Sequence, residues 1–277
     1  MSTYADYTTV NAVRSTYLGS TATGQDGLLL DLIRSTSREI ERVCNREFYP
    51  TVQTRYYDTP RIRRDILLDA DLLSLTTFTN GDGTVFTAAQ YQLYPLNESP
   101  KFKLVVLNSS STVLQNTSSG DYEGALSIAG VWGYHPDYSN AWQDTLATLA
   151  AAISSTSTTT FTCTTGKLYA GDLIQIDTEY MYVSAVTTAT SDTITVVRGV
   201  NGSTAATHLI STAISRWTMY DIEMVARTAV AAYFRLRSNT LGDTIRIGTD
   251  SFSTPKDVLQ WMGKRLAGLG VIRVGLG

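Results

Sequence analysis

Between Gly27 and Pro50 the apolar residues recur with the spacing of one helical face. Leu29, Leu32, Ile33, Thr36, Ile40 and Val43 line up on one side, and Asp26 is placed to cap the start. Arg34, Arg38 and Arg42 repeat every fourth residue on the opposite face, and Pro50 ends the helical region. A shorter helix is predicted over residues 8–18, with Val10, Val13 and Tyr17 on one side, followed by a Gly/Thr linker. From Thr54 the period changes to two. Short strands are predicted at Arg55–Asp58, Ile66–Leu68, Phe102–Leu107 and Ala125–Trp132. Leu75–Phe78 and Val85–Leu93 flank Asn80-Gly-Asp-Gly83, whose residues accept positive φ, so a hairpin is expected there.

A Thr-rich stretch follows, Ala147–Arg216. Its alternation predicts strands at Thr159–Thr164, Leu173–Ile176, Met181–Val186, Thr193–Arg198 and Ala213–Trp217, the spacing of a small barrel or sandwich. Helical spacing then returns. Ile222, Val225, Ala226, Ala229, Tyr233 and Leu236 form one face, and Thr254-Pro255-Lys256-Asp257 reads as a helix start. Val258, Leu259, Met262 and Leu266 follow as its apolar side, and Gly270–Gly277 is an apolar, slightly basic tail. The pattern implies a helix-and-sheet domain, residues 1–146 plus 217–277, interrupted by a β module at 147–216.

Composition narrows the function classes. The 277 residues are 43% hydrophobic and 17% charged, with formal net charge −3, so no global basic field exists for gripping nucleic acid. The N-terminal residues have neither the basic region nor the apolar core of a signal peptide, and no run approaches a membrane span of ~20 apolar residues. No membrane partner and a cytosolic origin are expected. Cys44 and Cys163 are too few and too far apart for a disulfide framework or a metal site, and read as buried small hydrophobes.

Candidate chemistry is sparse. His135 and His208 have no second ligand at metal spacing and read as surface or turn residues. No phosphate loop, nucleophile elbow or zinc motif occurs. The expectation is no catalytic residue, no metal and no cofactor. The Arg34/Arg38/Arg42 stripe reads either as a solvated face balanced by Asp31, Glu39 and Glu41 or as a contact for phosphates or a neighbouring subunit. Val271-Ile-Arg-Val274 is a β-prone run that could add to a partner's sheet edge, fray, or close the chain's own sheet. Tyr180, Tyr182 and Trp217 would suit a glycan-binding β module if they clustered on an exposed face.

Several segments, in order, resemble the head–tail connector (adaptor, head-completion) proteins of long-tailed bacteriophages. They are Tyr17-Leu18-Gly19, the helix end Ile40–Pro50 (IERVCNREFYP), Arg55–Asp58 (RYYD), Ile66–Leu75 with the NGDG turn, Val131–Asp137 (VWGYHPD), the helix Ile222–Arg237 and the closing Lys264–Leu266. The resemblance covers roughly residues 4–142 and 217–277. It implies an α+β fold, a helical connector domain with a small antiparallel sheet, interrupted here by the inserted all-β barrel or sandwich. It implies a structural virion protein of the phage neck, made in the bacterial cytoplasm. Such a protein forms a homo-oligomeric, twelve-fold ring beneath the portal, bears a tail-completion or stopper protein, and extends a channel through which DNA passes without specific binding. By the same resemblance the portal-binding tail comprises Lys264, Arg265, Leu269, Val271, Ile272, Arg273 and Val274. Arg34, Arg38, Arg42 and Phe234 are the candidates for subunit contact. The alternative reading is a tail or baseplate protein that binds host surface glycans.

Overall fold

A computed structural model of the chain describes residues 6–19, 24–61, 64–164, 166–188, 191–237 and 244–273. The chain divides into two compact units, Glu47–Ala141 and a unit made of Thr3–Arg46 with Trp142–Gly277.

The Glu47–Ala141 unit is built on β1 (Thr51–Tyr57), β2 (Asp65–Thr79), β3 (Tyr91–Tyr94), β4 (Lys101–Val106) and β5 (Leu126–Trp132), an antiparallel sheet of order β1-β5-β2-β4-β3. β2 is 15 residues long. Register shifts between Leu67 and Leu72 and again before Ser74 and Thr77 let it leave β4 and join β5. Such bulges bend a strand and raise its twist, so one strand serves both halves of the sheet. Leu68, Leu72, Phe78, Leu104, Ile128 and Trp132 fill the core. The turn at Asn80–Gly83 forms as expected, with Gly83 at φ 86. The ladder beyond it is a single bridge, Thr79 to Val85, and the strand that follows, β3, pairs with β4 instead.

The other unit carries the helices. The first is α1 (Val10–Val13), continued by one π-helical turn at Arg14–Leu18. α2 (Asp26–Cys44) buries Leu29, Ile33, Thr36, Ser37, Ile40 and Cys44. Leu29, Ile33, Thr36 and Ile40 belong to the predicted face, whose Leu32 and Val43 are only half-buried, and the helix ends where Asn45 turns left-handed at φ 50. α3 (Tyr220–Arg237) packs against α2 and against α4 (Pro255–Gly268). Thr254 starts α4: its Oγ1 accepts from Asp257 N while Asp257 Oδ2 accepts from Thr254 N at 2.8 Å, a reciprocal cap.

In the same unit lies a six-stranded antiparallel sheet. Its strands are β6 (Trp142–Thr148), β7 (Thr160–Cys163), β8 (Leu173–Ile176), β9 (Glu179–Thr188), β10 (Asp192–Val197) and β11 (Ala213–Trp217), in the order β6-β11-β8-β9-β10-β7. Just past β6, Ala150 N donates to Thr162 O of β7 at 3.0 Å, so the sheet curls until its two edges meet. Ile174, Ile176, Met181, Val183, Ile194 and Ile214 fill its interior. A last hairpin, β12 (Ile245–Ile247) with β13 (Asp250–Phe252), packs on α3.

The architecture corrects the expected fold class. The chain is mostly β, with sheets of five and six strands, and its four described α-helices run 4, 19, 18 and 14 residues. A helical connector domain with a small sheet is not what forms. Two physical reasons account for the error. Bulges carry β2 straight through Asp69 and Asp71, joining the two short strands expected at Ile66–Leu68 and Leu75–Phe78 into one. The segment Trp142–Thr148, assigned at its start to the helical domain, joins β11 and extends the second sheet.

Candidate functional site

Two of the segments quoted for the resemblance, Glu47–Tyr49 and Trp132–Tyr134, are locked together at the start of β1. Phe48 and Tyr49 are buried where the chain turns into β1. Tyr134 N donates to Glu47 O at 2.7 Å, and the Phe48 and Tyr134 rings meet edge to face at 5.6 Å. Gly133 sits at φ 138, and a Cβ there would lie 2.4 Å from Tyr49 O, so no other residue fits. Trp132 Nε1 donates to Gln53 O at 3.0 Å, and the Arg55 guanidinium lies 4.9 Å over the Trp132 ring. The Glu47–Tyr49 and Trp132–Tyr134 runs thus form one joint, held by a backbone hydrogen bond, an edge-to-face ring pair and a close approach at Gly133.

The densest polar cluster lies elsewhere, at the β8–β9 turn of the six-stranded sheet. Glu179 opens β9 with no side-chain exposure, and Arg198 follows β10 at 6%. Glu179 Oε1 accepts from Arg198 Nε at 2.6 Å and from Gly199 N at 3.0 Å. Its Oε2 accepts from Arg198 Nη2 at 2.7 Å and Ala206 N at 2.9 Å, and lies 2.9 Å from His208 Nε2. His208 Nδ1 lies 2.7 Å from Asp177 Oδ2. Arg198 also donates to the carbonyls of Thr158 and Ala206. Burial pushes the Glu179 carboxyl up, but the Arg198 guanidinium, the Ala206 N–H and His208 outweigh it and hold it below the usual carboxylate range. The cluster has the groups of an acid–base site, but they are turned on one another. Its chemistry is to pin three loops to the sheet.

Sequence reading missed this cluster. The sequence predicts a surface or turn role for His208, yet it is 3% exposed and faces two carboxylates some thirty residues away. The available signal was the Asp177-x-Glu179 pair on a turn, followed by Arg198-Gly199 directly after a strand. His135 has a turn role: its Nδ1 accepts from Asp137 N at 3.0 Å. Among the described residues no group of His, Cys, Asp and Glu is arranged to hold a metal ion. Cys44 and Cys163 are buried, and burial pushes their thiols up to about 12 and about 11, so neither is a ready nucleophile.

The other candidate residues are placed as follows. Arg34, Arg38 and Arg42 are exposed on α2. Arg38 pairs with Glu41 at 2.8 Å and Arg42 with Glu39. Arg34 and Arg38 also act on Asp6, a carboxylate that accepts from Tyr182 OH at 2.6 Å. Phe234, half-buried near the end of α3, lines a cavity of about 610 Å³ with Leu18, Leu29 and Arg235. Lys264 and Arg265 are exposed on α4, and Leu269 is half-buried. Val271 is buried, and Arg273 N donates to Cys44 O at 2.8 Å, so the chain's return is fixed to the end of α2. Ile272 and Arg273 are half-buried, and Val274 lies outside the described residues. Tyr180, Tyr182 and Trp217 are 4%, 7% and 4% exposed, and Trp142 packs on both Tyr180 and Trp217 at about 5 Å.

Comparison of the sequence with protein-family models and with curated proteins finds no match.

Proposed function

We propose that this chain is a structural component of a bacteriophage particle, assembling as a ring beneath the portal to join head to tail and continue the DNA channel. The observation that carries the reading is the joint between Glu47–Tyr49 and Trp132–Tyr134. Residues that resemble the connector family are there for architecture: they bury rings and satisfy backbone groups around a glycine that nothing larger can replace. The polar cluster most like a catalytic constellation, Glu179 with Arg198 and His208, is likewise consumed internally, which supports a scaffold rather than a reaction centre. Lys264 and Arg265 on α4 and the residues after Arg273 are the proposed portal contacts, and the overall negative charge suits a channel past which DNA slides. The glycan-binding alternative needs exposed aromatics on the six-stranded sheet, and Tyr180, Tyr182 and Trp217 are covered by the chain's own packing.

The test is electron microscopy of the purified chain mixed with its cognate portal protein, with and without residues 274–277. This deletion leaves Val271 and the Arg273–Cys44 bond in place. A ring stacked on the portal and lost on truncation supports both the connector reading and the tail contact. Rings that survive truncation keep the connector and move the contact to α4. An intact chain that leaves the portal bare overturns the reading.

A further inference from the structure

Just before β11 a turn carries two large aliphatic side chains into solvent. Leu209 is 77% exposed and Ile210 60%. The turn is held at both ends. Thr212 N and Oγ1 both donate to Leu209 O, at 3.3 and 2.8 Å. Ser211, left-handed at φ 66, donates its N–H to Leu149 O at 2.9 Å. His208 and Ile153 exchange both backbone hydrogen bonds at 2.9 Å, and the His208 ring is fixed by Asp177 and Glu179. This pairing sets Ala150, Ala151 and Ala152, all exposed, opposite Leu209 and Ile210. No Lys, Arg, Asp or Glu occurs in residues 145–166 or 199–215. The result is an apolar, charge-free protrusion whose shape is set before anything binds it. Clustered exposed apolar groups mark an interaction surface, and a preordered one loses little freedom on docking.

The same unit also holds a concavity of matching chemistry. The cavity of about 610 Å³ has walls from Leu18, Leu29 and Phe234, with the exposed Gln25 at its edge. That volume lies within the range of roughly 300–1,000 Å³ typical of pockets that enclose a guest. Its two guanidiniums are turned to the chain's own acceptors. Arg14 pairs with Asp26, and Arg235 donates to Arg246 O at 2.9 Å and to Tyr17 O. With its cations so engaged, the cavity suits an apolar guest rather than an anion. Leu209 and Ile210 stand in solvent, so the chain does not fill this cavity with its own turn.

We propose that the Leu209–Ile210 turn of one copy seats in the Leu18, Leu29 and Phe234 cavity of a second copy. The proposal rests on the ring assembly put forward above and names its contact. The two patches differ, so the contact is heterologous: each copy gives its turn to one neighbour and its cavity to the other. Such a head-to-tail contact repeats from copy to copy until the rotation closes, and so builds a ring. The Glu179 cluster then has a purpose beyond its own loops, since it anchors the turn in the shape the neighbour receives.

The test uses the full chain with Ala151→Cys and Gln25→Cys, both at exposed positions; Cys44 and Cys163 are buried and do not compete. A short bismaleimide is added in solution and again after mixing with the cognate portal protein. The chain with both substitutions should give a ladder of covalent species extending past the dimer. A mixture of the two single variants should stop at the dimer, and either one alone should give none. Adding Leu209→Ser and Ile210→Ser should raise the concentration needed for the ladder by about a hundredfold, roughly tenfold for each aliphatic side chain removed. A ring on the portal without cross-links overturns this contact and leaves the ring reading standing. A ladder with the portal left bare supports the contact and overturns the portal reading. Cross-links from A151C alone, which would join turn to turn, or a ladder indifferent to L209S and I210S, overturn the proposal. So does an absence of cross-links in which the two serines abolish portal attachment, because the turn then meets the portal.

Discussion

The two sheets solve the same problem with different materials. The five-stranded sheet closes over rings and aliphatic chains, with Phe78 stacked on Phe86 at 4.3 Å and Trp132 beneath Tyr57 and Arg55. Its ion pair between Arg55 and Asp69 stands at the rim with side chains 26% and 65% exposed, and Asp71 of β2 is a single buried carboxyl group. The six-stranded sheet instead buries a whole ion pair, Glu179 with Arg198, besides the Asp172 carboxyl group. Apolar burial is insensitive to pH and tolerant of neighbours. A buried charge is stable only while every partner stays in place. The first sheet should therefore fail gradually under substitution, and the second abruptly and in a pH-dependent way.

The sharpest way to break this contrast is Arg198→Ala. It strands Glu179 without its guanidinium and frees three loops, and about 3–5 kcal/mol of stability should be lost. Chemical denaturation of the full chain, read by a probe in each unit, measures it. A loss below about 1 kcal/mol would mean that water reaches Glu179 and that the two sheets are alike after all. Glu179→Gln adds the sign. The native carboxyl is held below its ordinary 4.5, so its contribution is present above that value and lost as pH falls through the lower folded one. Wild type and E179Q should differ most near neutrality and converge in strong acid.

Next in size is Gly133→Ala in the first unit. The added carbon meets Tyr49 O at 2.4 Å on a backbone at φ 138, and relaxing that clash should cost about 2–4 kcal/mol. The loss should be the same at pH 5 and pH 8, because the clash is between the added carbon and a backbone carbonyl. A pH-dependent loss would blur the distinction between the sheets.

How far the fold was legible follows the same division. β8, β10, β11 and α2 to α4 stand where period-two and helical patterns placed them, because each has one apolar face that must be covered. Asp69 and Asp71 hid the continuity of β2, since bulges break its alternation where it changes partner. Trp142–Thr148 hid β6 for a related reason: Leu146 at φ 58 interrupts its pattern, and the register with β11 shifts there. The Glu179 cluster left only a faint signal, Asp177-x-Glu179 and Arg198-Gly199, because its members are brought together by pairing across strands rather than by spacing along one. The return of Val271–Arg273 to Cys44 was hidden too, since a β-prone run does not say which backbone it will meet.

The smallest expected effect tests whether the second sheet carries strain as well as buried charge. Leu146 is 75% exposed and left-handed, a conformation that costs an ordinary side chain roughly 1–2 kcal/mol. Its amide is held by Asp144 Oδ1 at 2.8 Å, and Thr145 Oγ1 donates to Ile214 O at 2.6 Å, so the bulge is fixed by its neighbours and not by the leucine side chain. Leu146→Gly removes the steric cost and forfeits little burial, while the freer unfolded chain takes back up to about 1 kcal/mol. The balance should be a gain of no more than about 1 kcal/mol, read as a small rise in the thermal midpoint. A clear loss would mean that Leu146 holds the bulge through packing, and that this edge of the sheet is built, like the first unit, on apolar contact.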